Sequence, residues 1–443
     1  MPAGRKVLLI SYIYPPAGGG GSPRLVRWTR AIANSGREPV VVTVKEVFAR
    51  SKDQSLLDEV SGIARIERTE SLDPKRIVHL LQSAFGSKGR SELAAPAPAA
   101  AKSSGLLWRA IQAFRLWLMV PDDLIGWLPF AALRAAAVIR REKPELIITS
   151  SWPHSVQLLG LLLKKIFKLP WIADFRDNWA GHPHYFFPTQ AHRKLNAWME
   201  KAVVRNADLV TFAYGLKQAQ KAHPRFKAKF RELSNGFRER DFQGVEPMPQ
   251  TGFNMLFLGA LYGAHGPKNF FQALQRLLRD HPELKSELKL RLIGQFFPFD
   301  LALAKEYGLE EVVTFMEFIP HNQVFRWMLA ADVLVLILSG DVESSQVVPG
   351  KVFEYLRSPA WVLGVIPEGE TAEILRAAGG AMIASGRDPE KIAEVILKLH
   401  RLWKQGQKPE RNMDYVMTKE EDYLSRQMSE YLGSGLDLRH KQF

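Results

Sequence analysis

Val7-Leu8-Leu9-Ile10-Ser11 leads into Tyr14-Pro15-Pro16-Ala17-Gly18-Gly19-Gly20-Gly21, then a basic segment from Arg24 to Gly36, then Val40-Val41-Val42-Thr43-Val44. Both apolar runs are short and unbroken. That is the pattern of a strand covered on both faces in a parallel sheet, not of a strand with one wet face. The segment between them predicts a helix from about Arg24, stopped at Gly36. Strand, glycine loop, helix and strand make a βαβ unit, the opening of a doubly wound α/β domain.

The same rhythm continues along the chain. Leu146 to Thr149, Trp171 to Ala173 and Leu209 to Ala213 read as strands, with a helix over Ser155 to Lys168 and a turn at Asn235-Gly236-Phe237 after a short strand. Gly244 to Gly252, with two prolines, reads as a linker. A second series follows, with strands at Met255 to Leu258, Leu288 to Ile293, Val312 to Phe315, Val333 to Leu338 and Val362 to Ile366. The expected organisation is two Rossmann-like doubly wound domains facing a central cleft, residues 1–247 and 248–415. A helical segment, 416–443, closes the chain and returns to the N-terminal domain. Residues 86–105 collapse to Ala, Pro, Ser, Gly and Lys and read as a mobile loop, because such a stretch has no core to bury.

Composition narrows the function. The 443 residues are 46% hydrophobic and 24% charged, with no cysteine, which excludes disulfide scaffolds, zinc ribbons, iron–sulfur clusters and thiol nucleophiles. The net charge of +14 is unevenly spread. Residues 1–247 hold 38 basic and 21 acidic residues, whereas 248–443 hold 22 basic and 25 acidic. The two halves face different partners, or only one faces a strongly anionic one (nucleic acid, an anionic membrane or a phosphorylated lipid), with general solubility as the alternative. No run reaches the roughly 18 apolar residues of a spanning helix. Nor does the start read as a signal peptide, since Lys6 to Ile10 runs directly into a polar loop. The expected location is cytoplasmic, peripheral on the inner face of the plasma membrane.

Two segments carry candidate chemistry. Gly18 to Gly21 follow a strand and precede a helix, so backbone N–H groups approach a ligand without Cβ obstruction, at the positive end of a helix. The spacing is neither Gly-x-Gly-x-x-Gly nor a Walker loop, and a plain flexible loop is the alternative. The second segment is Val347-Val348-Pro349-Gly350-Lys351-Val352-Phe353-Glu354-Tyr355. Pro349 and Gly350 suit a helix start, Lys351 supplies a point charge for a pyrophosphate, and Glu354, a turn later, supplies a carboxylate for ribose hydroxyls. An ordinary surface helix is the alternative.

Taken in order, these segments and several others resemble the GT-B glycosyltransferases of the large family-4-like group, retaining enzymes that use nucleotide sugars. The resemblance covers nearly the whole chain. It is carried by Tyr14-Pro15-Pro16 with its glycines and Arg24, Pro121-Asp122, Gly126-Trp127, Ser150 to His154, Asp174-Phe175-Arg176-Asp177-Asn178-Trp179, Asn206-Ala207-Asp208, Asn235-Gly236-Phe237 and Pro349-x-Lys351-x-x-Glu354-Tyr355. It implies that the second domain holds the donor. Glu354 would bind the ribose, and Val348, Pro349, Gly350 and Lys351 the diphosphate. Gly19, Gly20 and Gly21 would close over the phosphates, Lys268 would neutralise the leaving group, and Gly294, Phe318 and Pro320 would seat the nucleotide. Many relatives carry Glu-x7-Glu, where this chain has Gln346 eight residues before Glu354, so the sugar contact lacks a charge. The Arg often found after the preceding strand's glycine is here Ala260.

On the acceptor side stand His154, Asp174, Arg176, Asp177 and Trp179. Asp174, Arg176 and Asp177 read equally as site residues at a strand end or as a structural ion-pair network. Such a site needs no cofactor and no metal. His182 and His184 near Asp174 and Asp177 lack the helix-borne spacing of a zinc site. Two stretches suggest a membrane-borne acceptor such as a polyprenyl-diphosphate glycan. Leu106 to Phe130 holds Trp108, Trp117 and Trp127, and Lys217 to Arg240 holds eight basic residues. Packing of these tryptophans as core is the alternative. The expected activity is metal-independent, retaining glycosyl transfer from a nucleotide-diphosphate sugar to a glycan or lipid-linked acceptor in surface polysaccharide biosynthesis. A nucleotide-sugar epimerase or a glycogen/trehalose-type enzyme of the same fold, and an inactive GT-B scaffold, are the rivals. A nucleic-acid partner is not expected, because no aromatic-basic reading motif is present. The oligomeric state is left open.

Overall fold

The computed structural model describes residues 5–18, 21–45, 52–73, 115, 117, 119–181, 185, 187–260, 267–317, 319–338 and 343–437. Two units follow from the internal contacts: 1–234 with 425–443, and 235–424.

The first unit is built on a seven-stranded sheet of order β3-β2-β1-β4-β5-β6-β7, parallel throughout. Its strands are β1 (Lys6–Ile10), β2 (Glu38–Val44), β3 (Arg65–Thr69), β4 (Leu146–Ser151), β5 (Trp171–Phe175), β6 (Leu209–Phe212) and β7 (Phe230–Glu232). Between them run α1 (Ser22–Asn34), α2 (Gln54–Asp58), α3 (Leu128–Glu142), α4 (Ser155–Phe167), α5 (Gln190–Asn206) and α6 (Leu216–Ala222). Register places Leu8 beside Val40 on one side and Ile147 on the other, and Val7 to Ile10 are completely buried, as unbroken apolar runs require. The sheet's direction of growth reverses between β1 and β4, which opens a crevice at their carboxyl ends.

The second unit has six parallel strands in the order β10-β9-β8-β11-β12-β13. These are β8 (Phe253–Ala260), β9 (Leu288–Gln295), β10 (Val313–Met316), β11 (Val333–Ile337), β12 (Trp361–Val365) and β13 (Ala381–Ala384). Its helices are α7 (Lys268–Asp280), α8 (Pro298–Glu306), α9 (His321–Ala330), α10 (Lys351–Arg357), α11 (Glu370–Ala378), α12 (Pro389–Lys404) and α13 (Met413–Met417). Here the reversal falls between β8 and β11. The final helix, α14 (Glu421–Asp437), begins in this unit and from Ser425 belongs to the first. Met428 and Leu432 are completely buried, and the Tyr431 hydroxyl donates to the Glu232 carbonyl at 2.9 Å. The C-terminal helix therefore returns to the N-terminal domain.

Three expectations change. The boundary lies at 234/235 rather than 247/248, because residues 235–247 bond within the second unit. Phe237 N–H donates to the Lys419 carbonyl at 3.0 Å, the Glu239 carboxylate pairs twice with Arg357, and Phe242 packs edge-on to Phe325 with ring centres 4.9 Å apart. The second boundary lies inside α14 rather than at 415/416. Trp127 is not interfacial: it is completely buried, and its indole N–H donates to Thr69 Oγ1 at 2.7 Å. Trp108 and the 86–105 loop lie outside the described residues.

Candidate active site

In the second unit, α10 is pinned to the end of β8 by both polar groups of one residue. Leu258 N–H donates to the Tyr355 hydroxyl at 3.1 Å, and the Leu258 carbonyl accepts from Lys351 Nζ. Tyr355 is buried, which raises its phenol pKa far above the ordinary range. The pin holds the Lys351 ammonium 4.1 Å from the centre of the Phe257 ring and above Gly259, where a Cβ would come within 3.3 Å of Nζ. Gly259 has φ +117° and Gly294 has φ +153°. A Cβ on Gly294 would lie 1.8 Å from the Gly259 carbonyl oxygen, so only glycine lets the ends of β8 and β9 approach this closely.

No ion pair neutralises Lys351 among the described residues. Burial pushes its ammonium down to about 7, against the pull of the Glu354 carboxylate a turn away. The loop before α10 is anchored from outside. Thr371 Oγ1 donates to the Val347 carbonyl at 2.6 Å, and the Ser345 carbonyl rests on Gly369, where a Cβ would be 2.1 Å away. Val348 is buried, Gln346, Pro349 and Glu354 are half-buried and Gly350, the N-cap, is exposed. Lys268 opens α7 and Pro320 precedes α9, both exposed and both after a strand's carboxyl end. A cation set over glycine backbone at the β8/β11 reversal can hold a phosphate group. Phe318, Gly19 and Gly20 lie outside the described residues.

In the first unit the Asp174-Arg176-Asp177 cluster separates into three roles. Asp174 is not an acceptor contact. It is completely buried and takes a bidentate pair from Arg24 (Nε to Oδ2 3.0 Å, Nη2 to Oδ1 2.5 Å), with Ser150 and Thr211 hydroxyls at 2.6 Å each. Burial alone would raise its pKa, but the Arg24 charge and these hydrogen bonds outweigh it and hold the carboxyl below its ordinary value. Arg24 Nη1 also donates to the Leu233 carbonyl at 2.6 Å, tying α1 to the point where the chain leaves the unit.

Arg176 lies against the start of α1. A Cβ on Gly21 would fall 2.0 Å from Nη1, a buried atom with no hydrogen-bond partner among the described residues. Gly21 and Arg176, expected on donor and acceptor sides, are thus brought together. Asp177 receives the Tyr214 hydroxyl.

His154 and Trp179 meet in a cavity of about 240 Å³. Their rings stack at 5.0 Å with 4° between planes, His154 Nε2 is 3.1 Å from the Tyr185 hydroxyl, and the Trp179 indole donates to Asn196 Oδ1 at 2.8 Å. Trp152, Asp122, Asp123, Phe187 and His192 add to the polar and aromatic lining. The Asp122 carboxylate caps α4, accepting from Ser155 N–H at 2.8 Å and Ser155 Oγ at 3.0 Å. Burial nevertheless pushes it up to about 6. Tyr185 was not legible in sequence, since a tyrosine between prolines and aromatics carries no motif. Gly259 had a signal, a glycine closing an apolar strand. Among the described residues no group of three or more potential metal ligands converges; His182 and His184 fall outside them.

Residues 19–213 match the family model described as a glycosyl transferase 4-like domain, and residues 252–401 match glycosyl transferases group 1. Among solved structures the chain is similar to sucrose-phosphate synthase from Thermosynechococcus elongatus, at 16% identity over 99% of this chain and 98% of that one, with a TM-score of 0.57. It is also similar to the lipopolysaccharide outer core galactosyltransferase WaaB, at 13% identity, 97% and 99% coverage and a TM-score of 0.56. A third likeness is to WaaG, a glycosyltransferase involved in lipopolysaccharide biosynthesis, at 14% identity, 96% and 95% coverage and a TM-score of 0.54. Identities this low speak to the fold alone. No curated protein sequence matches.

Proposed function

This chain belongs to the family-4-like GT-B glycosyltransferases, and from that premise we propose that it moves a sugar from a nucleotide-diphosphate donor to a glycan carried on a lipid, with retention at the anomeric carbon and without a metal. The observation that carries the reading is Lys351, a cation without an ion-pair partner among the described residues, held over Gly259 one turn from Glu354.

Glycosyl transfer breaks the bond between the anomeric carbon and a diphosphate oxygen. Negative charge grows on the diphosphate while the sugar becomes oxocarbenium-like, so what lowers the barrier is charge placed beforehand at the leaving oxygens. Lys351 can donate there, and the absence of a Cβ at Gly259 lets phosphate oxygens approach the backbone beside it. Glu354 accepts from ribose hydroxyls, and Lys268 adds charge at the start of α7. Gln346 binds a sugar hydroxyl as a neutral donor and acceptor. The acceptor enters beside His154 and Trp179, where an aromatic face suits a sugar ring. Within the first unit, Gly21 and Arg176 form a second cationic glycine corner, suited to an anionic group.

The test is a thermal-shift screen of nucleotide diphosphates and their sugars, because a ligand that binds only the native state raises its melting temperature by mass action. One nucleotide series should shift the melting temperature, and Lys351→Ala and Glu354→Ala should each shrink that shift. A flat response across the panel in the parent chain would remove the reading and leave a scaffold of the same fold.

A further inference from the structure

We propose that helices α4 and α5 of the first unit form a docking face for an anionic phospholipid bilayer. The inference rests on the reading above only for what the membrane delivers. The surface itself follows from which side chains these helices leave uncovered.

Helix α5 buries one stripe, Asn196, Met199 and Val203, against the unit. A second stripe at helical spacing, Leu195 and Trp198, points outward, and Trp198 is 66% exposed. A tryptophan so exposed on an ordered helix forgoes the burial that its large apolar ring normally finds. Helix α4 runs beside α5 and leaves Leu162 and Ile166, one turn apart, 45% and 58% exposed.

Cations surround these four apolar side chains. Lys165, Lys168, Arg193, Lys194, Lys201 and Arg205 are exposed, and none takes part in an ion pair among the described residues. The single acid of α5, Glu200, is turned away, accepting from Ala180 N–H at 2.8 Å and lying 3.2 Å from His223 Nε2. Lys164, the remaining cation of α4, is neutralised by Asp208 at 2.6 Å. The outward charge is therefore positive without offset. Tryptophan and leucine flanked by unpaired lysine and arginine match an interface in which rings enter the headgroup layer while cations meet anionic lipid.

The position of α5 gives the face a purpose. His192 and Asn196, in its first half, line the cavity that holds His154 and Trp179. One helix thus presents an apolar, basic stripe outward and closes the acceptor cavity with the opposite side. A lipid-borne acceptor bound at that face arrives next to the cavity.

The chain has no cysteine, so a single one can be placed at will. Trp198→Cys and, separately, Ile166→Cys are labelled with an environment-sensitive fluorophore. Lys285→Cys, exposed in the second unit, is the control. The full-length chain is mixed with phosphatidylcholine vesicles, with and without phosphatidylglycerol. Emission at 198 and 166 should brighten and shift to the blue only with the acidic vesicles, while 285 stays unchanged. Lys194→Glu with Lys201→Glu should weaken vesicle binding by roughly fivefold or more per cation removed. Labels at 198 and 166 that ignore acidic vesicles overturn the proposal. So does a blue shift without lipid that grows with protein concentration, which would assign the face to a second copy of the chain. The nucleotide screen on the same preparations separates the two readings. Vesicle binding without any nucleotide response removes the glycosyltransferase reading alone, and the reverse result removes the docking face alone.

Discussion

Each unit places a cation near the reversal of its sheet, fully buried in the first and half-buried in the second, and the two are used differently. Arg24, in the first, is satisfied on every side: both oxygens of Asp174, the Leu233 carbonyl and the hydroxyls that complete the carboxylate. Lys351, in the second, has one carbonyl and one aromatic ring. A buried charge with all its partners is architecture, because nothing remains for a ligand to satisfy. A half-buried charge short of an anion carries a desolvation cost that an incoming phosphate can offset. The contrast lies in the partners rather than in the residue type, which is why equally basic sequence segments gave it no warning.

The largest effect should come from the closed site. Arg24→Met leaves Asp174 charged and buried without its partner, and should cost about 3–5 kcal/mol of first-unit stability by urea unfolding. Arg24→Met with Asp174→Leu should recover much of it. If the single variant is nearly neutral, the network is not what holds α1 to β5.

Next is the contact of Gly294 with Gly259, the glycine beneath Lys351. Gly294→Ala places a methyl group where the Gly259 carbonyl stands and forces a positive φ on alanine, so it should cost on the order of 1–3 kcal/mol or more and abolish the nucleotide response. Lys351→Ala should instead leave stability unchanged or improved while weakening diphosphate binding about tenfold, the cost of one charge-assisted contact. Destabilisation by Lys351→Ala would put this lysine in the same class as Arg24.

The pH dependence sharpens the contrast. With its pKa pushed down to about 7, Lys351 is neutral above that pH and must take up a proton to meet a phosphate. Diphosphate affinity should therefore fall as pH rises through about 7, and Lys351→Arg should flatten the fall, read by calorimetry in buffers of different ionisation enthalpy. The unfolded chain binds more protons than the native one between about 7 and the ordinary lysine value of 10.5, so this group makes stability rise with pH across that window.

The smallest effect belongs to Asp122. Its pKa is raised to about 6 from 3.8, so the native state holds the extra proton between these values and stability falls as pH rises through the window. Asp122→Asn should flatten the melting temperature there while keeping a cap on α4.

Much of the fold was legible because a parallel strand buried on both faces writes itself as an unbroken apolar run. Leu8 to Ile10, Ile147 and Leu334 all sit where that pattern puts them. The strands left unread are edge strands. Arg65-Ile66-Glu67-Arg68-Thr69 is charged because one flank meets solvent and ion pairs with α3, and Ala381-Met382-Ile383-Ala384 is short and half-covered. At the site, Lys351 and Glu354 were legible as a motif on a helix start. The division between Asp174 and Arg176 was not, because alternation would put residues two apart on one face, and only the packing where the strand ends at Phe175 reveals which is enclosed.

The route of α14 bears on how the chain comes off the ribosome. Met428 and Leu432, both wholly enclosed in the first unit, are made only after every strand of the second. The N-terminal domain therefore waits, incomplete, while the other is synthesised and free to fold, and is finished only once α14 has been made. A ribosome-stalled chain ending near Leu424 would carry a mature second half and an unsealed first, the opposite of the order in which they were translated.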